Sequence, residues 1–264
     1  MSADMKSINA ERDRRLREIL FPNGYMVGVK MLTKEELASM EKVRRPREKR
    51  TTCQFISQTW YTGRTTVVTK DDLECYAAAE ILGFEKKMSD EAPLRYVGWQ
   101  FSNETAARHA AESAARFPYG SYAAAMFAPL SKMEYAPDVV LFYGNAAQAL
   151  VVISGYLRDQ GGSLSFASTG INACGAVIPA VVQSNEPKVA IPGNAWRLLA
   201  LPNYTDLIIG MPGKILDEII TNAELVRKFG GARYPTAYQH IDWPAQAPVA
   251  ELLKDDGYAV WLKR

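Results

Sequence analysis

Two stretches in the second half of the chain limit what it can fold into. "APDVVLFYGN" (136–145) and "YTDLIIGMPG" (204–213) each set an acidic residue, Asp138 or Asp206, before an apolar run and a glycine-containing turn. Each then runs straight into a helix-forming segment that closes on Gly-Gly. A short apolar run bounded by turn residues reads as a buried strand. A strand feeding directly into a helix is the building unit of α/β architecture. "GYMVGVKMLTKEEL" in the first half has the same order, with Thr33 and Glu36 spaced as a helix capping box. The expectation is one α/β domain over residues 1–264, a mixed sheet with flanking helices, made of two pseudo-repeated β-α halves. Those halves span about 21–130 and 131–230, with an extension at 231–264, and would face a site where they meet.

The remaining segments fill in this outline. Residues 8–20 read as a charged helix, "QFISQTWY" as a short helix and "GRTTVVTK" as a strand. "TKDDLECYAAAEILGF" reads as one capped, alanine-rich helix with Cys75 in its first turns. The segment 103–116 is another alanine-rich helix, and 121–128 a third such piece. The basic run "RRPREKR" (44–50) contains Pro46 and reads as a solvated loop.

Charge and composition exclude several classes of function. A net charge of +2 over 264 residues gives no field that would mark a nucleic-acid or membrane binder. The basic run lacks the interleaved aromatics that stack on bases. No apolar stretch approaches the roughly 20 residues of a bilayer span, and the N-terminus lacks a secretory h-region. A cytoplasmic protein is therefore expected, and Asn103-Glu-Thr and Asn203-Tyr-Thr read as chance glycosylation triplets. An odd number of cysteines, Cys53, Cys75 and Cys174, then argues for reduced thiols.

Familiar catalytic signatures are missing. No G-x-G-x-x-G follows a strand, "MPGKI" falls short of a phosphate-cradling loop, and neither G-x-S-x-G nor H-E-x-x-H occurs. The two histidines, His109 and His240, read as surface or capping residues. Singly, each cysteine reads as a core residue rather than a ligand, and none has a close C-x-x-C partner.

Order changes that balance. "CQFISQTWYTGRTTVVTKDDLECYAAAEILGF", "APDVVLFYGNAAQAL", "INACGAVIPAVV" and "GNAWRLLALPNYTDLIIGMPGKIL" follow one another in a succession that resembles the bacterial and archaeal domain of unknown function 169 family. The resemblance covers about Tyr25 to Ile220. It directs attention to Cys53, Gln54, Cys75, Pro137-Asp138, Asn145, Cys174 and the segment Gly193 to Arg197. All three cysteines fall on matched motifs, which favours ligation over simple burial. The sequence departs from the pattern in the Tyr-Ala-Ala after Cys75 and in "GNAWR", which lacks a cysteine that relatives carry nearby.

Three thiolates with few histidines suit a [4Fe–4S] cluster with one iron left open as a Lewis acid. Zinc is the competing metal, and a binding module without metal, gripping a small anion or cofactor between two lobes, is a third reading. Cys75 at a helix N-terminus would gain from the dipole. Arg64 and Arg197 could clamp an anionic substrate, and Gln54 and Asn145 could act as neutral donors. The expected protein is an iron–sulfur enzyme of lyase or reductase type acting on a small molecule. A homo-oligomer or a redox partner is compatible with the aromatic tail that holds Tyr234, Tyr238 and Trp243.

Overall fold

The computed structural model describes residues 2–41, 43–75, 77–86, 91 and 93–228. The extension at 231–264, with Tyr234, Tyr238, His240 and Trp243, lies outside the described residues. In chain order the elements are α1 (Ser2–Leu20), β1 (Val27–Leu32), α2 (Lys34–Ala38), α3 (Thr52–Thr62), β2 (Thr66–Thr69), α4 (Ala78–Ile81), α5 (Glu104–Glu112), β3 (Ala124–Pro129), β4 (Val139–Gly144), α6 (Ala146–Leu157), α7 (Ala173–Val177), α8 (Pro179–Ser184), β5 (Lys188–Ala190), α9 (Asn194–Ala200), β6 (Leu207–Pro212) and α10 (Leu216–Lys228). The architecture is α/β: one six-stranded sheet, in the order β2-β3-β1-β4-β6-β5, flanked by helices. Every neighbouring pair is antiparallel.

That order reads the same from either edge, and the hydrogen-bond registers follow it. In the first half Val27 of β1 stands opposite Pro129 of β3, and Leu32 opposite Ala124. In the second half Val139 of β4 stands opposite Pro212 of β6, and Gly144 opposite Leu207. The edge strands match as well, with Val67 against Met126 and Val189 against Ile209, the third residue of β3 and of β6. At the seam Gly28 lies opposite Val140, with Val27 on Leu141 and Val29 on Val139. The seam is therefore a local two-fold, and each half runs central strand, edge strand, middle strand. Both middle strands end in proline and enter a 3-10 turn, Leu130–Lys132 or Gly213–Ile215. The first residue of each turn donates back to the residue before the central strand, Leu130 N–H to Met26 and Gly213 N–H to Asp138. The two β-α units read from the sequence, β4-α6 and β6-α10, lie side by side in the second half.

Side-chain alternation sends neighbouring strand residues to opposite faces. Gly210 abuts Val177 and Val181 of α7 and α8, while Phe142 and Ile209 lie on the side of Gly144 and Gln148, against α6. One face thus carries α3 from the first half and α7-α8 from the second. The other carries α6 packed on α10, joined by α1. Dense charge on α1 is absorbed by ion pairs, Arg12 with Asp217 and Arg15 with Glu224, both at 2.6 Å. Exposed pairs of this kind add little stability, but they fix how α1 lies on α10.

Two local expectations are corrected. The residues after Cys75 do not pull it into a helix. Thr69 and Asp72 instead cap a 3-10 turn, Lys70–Asp72, and only Ala78–Ile81 is α-helical. Leu73 bridges to Arg50, which holds this stretch out along a neighbouring chain segment. The alanine-rich piece at 121–128 is strand β3, because its side chains are buried on both faces and leave no polar helix face. The basic run does lack regular structure. It is pinned to the free side of β2 by Val67 N–H to Arg44 O at 2.9 Å and Arg50 N–H to Asp72 O at 3.0 Å.

Candidate functional site

Cys53, Cys75 and Cys174 line one pocket of about 50 Å³, together with Thr51, Thr52, Ile171, Asn172, Gly193 and Trp196 among others. All three are free thiols. Cys53 is the second residue of α3 and Cys174 the second residue of α7. Each helix leads toward the edge strand of its own half, so these two cysteines occupy matching places about the seam. Cys75 comes from the extended stretch after β2. The facing wall, Gly193 to Trp196, comes from the corresponding stretch after β5.

Local sequence explains these placements. Thr51 and Gln54 form a reciprocal capping box at the start of α3, with Thr51 N–H to Gln54 Oε1 at 3.0 Å. The cap fixes Cys53 in the first turn, where the Thr51 hydroxyl lies 2.9 Å from its sulfur. Asn172 starts α7 in the left-handed region, φ 55°, a conformation asparagine tolerates better than most residues. Beneath the pocket the Tyr143 hydroxyl accepts from Trp196 Nε1 and shares a hydrogen bond with Ser57, both at 2.7 Å. Tyr143→Phe leaves the indole N–H and Ser57 buried without a partner. It should cost about 1–3 kcal/mol in urea denaturation and loosen the Trp196 wall.

The electrostatics of the thiols are those of an uncompensated site. Burial pushes the Cys53 thiol up from 9.0 to about 11, although the Thr51 hydroxyl and backbone N–H groups of Cys53 and Gln54 favour the thiolate. Burial pushes Cys174 well above the ordinary thiol range, and the neighbouring Cys75 and Cys53 add to the shift. The folded value of Cys53 lies above its ordinary one. Its neutral form therefore supports the fold fully below pH 9.0, and that support is lost as pH rises toward about 11. Metal-free protein should show urea midpoints that fall across this window, and Cys53→Ser should flatten the decline.

A further buried group has no partner among the described residues. The Thr52 hydroxyl makes no hydrogen bond to any of them, and Thr52, 1% exposed, lines the same pocket. Buried hydroxyls are nearly always satisfied, so an orphan of this kind marks a place for a ligand or water. Among the described residues, no group of three or more His, Cys, Asp or Glu side chains could hold a metal ion as placed. A second cavity of about 150 Å³ shares Ile171, Asn172 and Ala173 as its wall with the cysteine pocket.

The other sequence-predicted residues lie elsewhere. Gln54 is engaged in the α3 cap. Asn145 caps α6, donor to none of the cysteines' neighbours, and borders a separate cavity of about 330 Å³ with Trp60, Tyr61, Tyr143 and Asp206. Arg64 follows the C-terminal cap of α3, so the helix carries it on the order of 15 Å from Cys53. Arg197 donates to the carbonyls of Asn203 and Tyr204 at 3.3 and 3.4 Å and ties α9 to the next loop. Asp138 accepts from Met31 N–H at 2.7 Å and pairs with Lys30, locking the seam. His109 is exposed on α5 and does not line the cysteine pocket. Reasoning from sequence missed Thr52, whose importance depends on a pocket that only the assembled halves create, whereas Trp196 lies in the segment Gly193 to Arg197 that the motif order had singled out. The dipole argument attached to Cys75 belongs instead to Cys53.

The model of a family described as an uncharacterised ArCR, DUF169, matches residues 15–222. An uncharacterised protein of Methanocaldococcus jannaschii is 24% identical over 225 residues, covering 83% of this chain and 94% of that protein. No solved structure matches.

Proposed function

The chain belongs to the uncharacterised DUF169 family, and from that premise we propose that it is an iron–sulfur protein. Cys53, Cys75 and Cys174 would hold a [4Fe–4S] cluster, and a small anionic substrate would be processed beside it in a lyase- or reductase-type reaction. The observation that carries this reading is the meeting of three free thiols, from three separate segments, next to a buried hydroxyl with no partner among the described residues.

The donor set fits such a group by its chemistry. Thiolates select soft metals and clusters. Two of these thiols have backbone N–H groups turned to favour the charged form, yet burial keeps them protonated for want of a counter-charge. A cationic centre supplies that charge and displaces the protons. When bound, the cluster offers electron transfer or Lewis acidity at an iron without a protein ligand.

The chain's own residues would do the rest. Thr52 donates its free hydroxyl toward the bound group, Ile171 and Trp196 keep water out, and the 150 Å³ cavity next door takes the substrate. About 50 Å³ accommodates a few waters, so the shared wall at Ile171–Ala173 has to yield to admit a cubane. Zinc draws its sulfurs to about 2.3 Å from one ion and so asks for a tighter set of thiolates than a cluster does. A cubane accepts sulfurs roughly 6 to 7 Å apart. Such a centre is oxygen-sensitive and suits a reducing cytoplasm.

The test is anaerobic isolation with iron, zinc and sulfide analysis and a visible spectrum. Iron and sulfide in near-equal amounts are expected. Zinc without sulfide would transfer the site to that metal. A colourless, metal-free protein would leave a binding module with inert thiols.

A further inference from the structure

We propose a second ligand site, separate from the cysteine pocket, that binds a phosphate-bearing small molecule. It is a cavity of about 220 Å³ between the segment 44–50, α3 and β2, and it shares no lining residue with the cysteine pocket. Arg44, Arg45, Arg47, Arg50 and Arg64 line it, against one carboxylate, Glu48. Glu48 is already engaged by Arg50 at 3.2 Å, and Arg45 is held by Asp72 and Thr69. Arg44, Arg47 and Arg64 have no acidic partner among the described residues.

The arrangement is built into the fold at both ends. Hydrogen bonds to β2 and to the 3-10 turn anchor Arg44 and Arg50, so the residues between them bow out over the cavity. Arg64 arrives from the opposite side, set by the left-handed cap Gly63. Guanidinium groups converging from two segments repel one another unless an anion lies between them. Their planar forks match phosphate oxygens two at a time. The choice of a small phosphate compound over a nucleic acid rests on two features. The site is concave, and among the described residues no aromatic side chain lines it to stack on a base.

Calorimetric titration of the full chain with inorganic pyrophosphate, in about 0.15 M salt where non-specific attraction is screened, tests the proposal. Saturable one-site binding is expected. Arg64→Ala and Arg47→Ala should each weaken it tenfold or more, with Arg64→Lys intermediate. Arg158→Ala, a surface arginine far from the cavity, should leave it unchanged. All these residues are solvent-accessible, and matching melting curves establish that the variants fold. No saturable binding, or binding undiminished in both alanine variants, overturns the proposal. Uptake of single-stranded RNA without pyrophosphate saturation also overturns it and makes the cluster a polymer contact. Binding that persists in Cys53→Ser separates this site from the thiol centre.

Discussion

Changing Cys53, Cys75 or Cys174 to serine, one at a time, should strip iron and sulfide from anaerobically isolated protein, and each change should remove most of the chromophore. With three proposed ligands, none is spare. Wild-type protein should carry about four irons and four sulfides per chain, the content of one cubane. A serine hydroxyl is a far weaker donor to iron than a thiolate, so single variants should retain little of either element. The fold should survive. Cys53 and Cys75 are only partly buried, and serine at the buried Cys174 adds one hydroxyl, a cost of about 1–3 kcal/mol. Circular dichroism beside metal analysis separates lost ligation from lost folding. Equal iron in wild type and in the triple serine variant would sink the assignment.

Gly213→Ala should be among the most destabilising single changes in the chain. An added Cβ would stand 1.8 Å from the carbonyl oxygen of Pro137 and 2.7 Å from its carbon. Both contacts are backbone, so no side chain can swing aside. The close approach is fixed by Gly213 N–H donating to Asp138 O at 2.9 Å and by the rigid ring of Pro137. The expected loss is on the order of 3 kcal/mol or more. The matching position in the other half, Leu130, carries a buried side chain and makes the equivalent hydrogen bond to Met26. Glycine is therefore demanded by Pro137, not by the turn itself. Urea unfolding measures the effect, and a midpoint close to wild type would mean that the 3-10 turn shifts freely.

Much of the scaffold was legible in the sequence. Strands β4 and β6 and the helices after them follow from apolar runs bounded by glycine, and the cap at Thr33 follows from residue type, while Asn145, read as a donor, caps α6. Strand β3 was not legible, because Ala124 and Ala125 carry helix propensity that two-sided burial overrides. The alanines after Cys75 misled in the same way. Convergence of the thiols could be suspected only from motif order. It depends on sheet register, which joins residues too distant in sequence for periodicity to report. Arg64 shows the reverse error. Its charge was recognised, but the length of α3 carries it away from the sulfurs.

A frame with two matching lobes offers its lining residues in pairs, and an odd set of thiols must be lopsided. Cys53 and Cys174 answer each other across the seam, while the stretch that matches the one carrying Cys75 supplies Gly193, Ala195 and Trp196. The cleft therefore has a sulfur-rich bank and a sulfur-poor one. Anything that enters meets a handed surface, with two sulfurs on one lobe and one on the other.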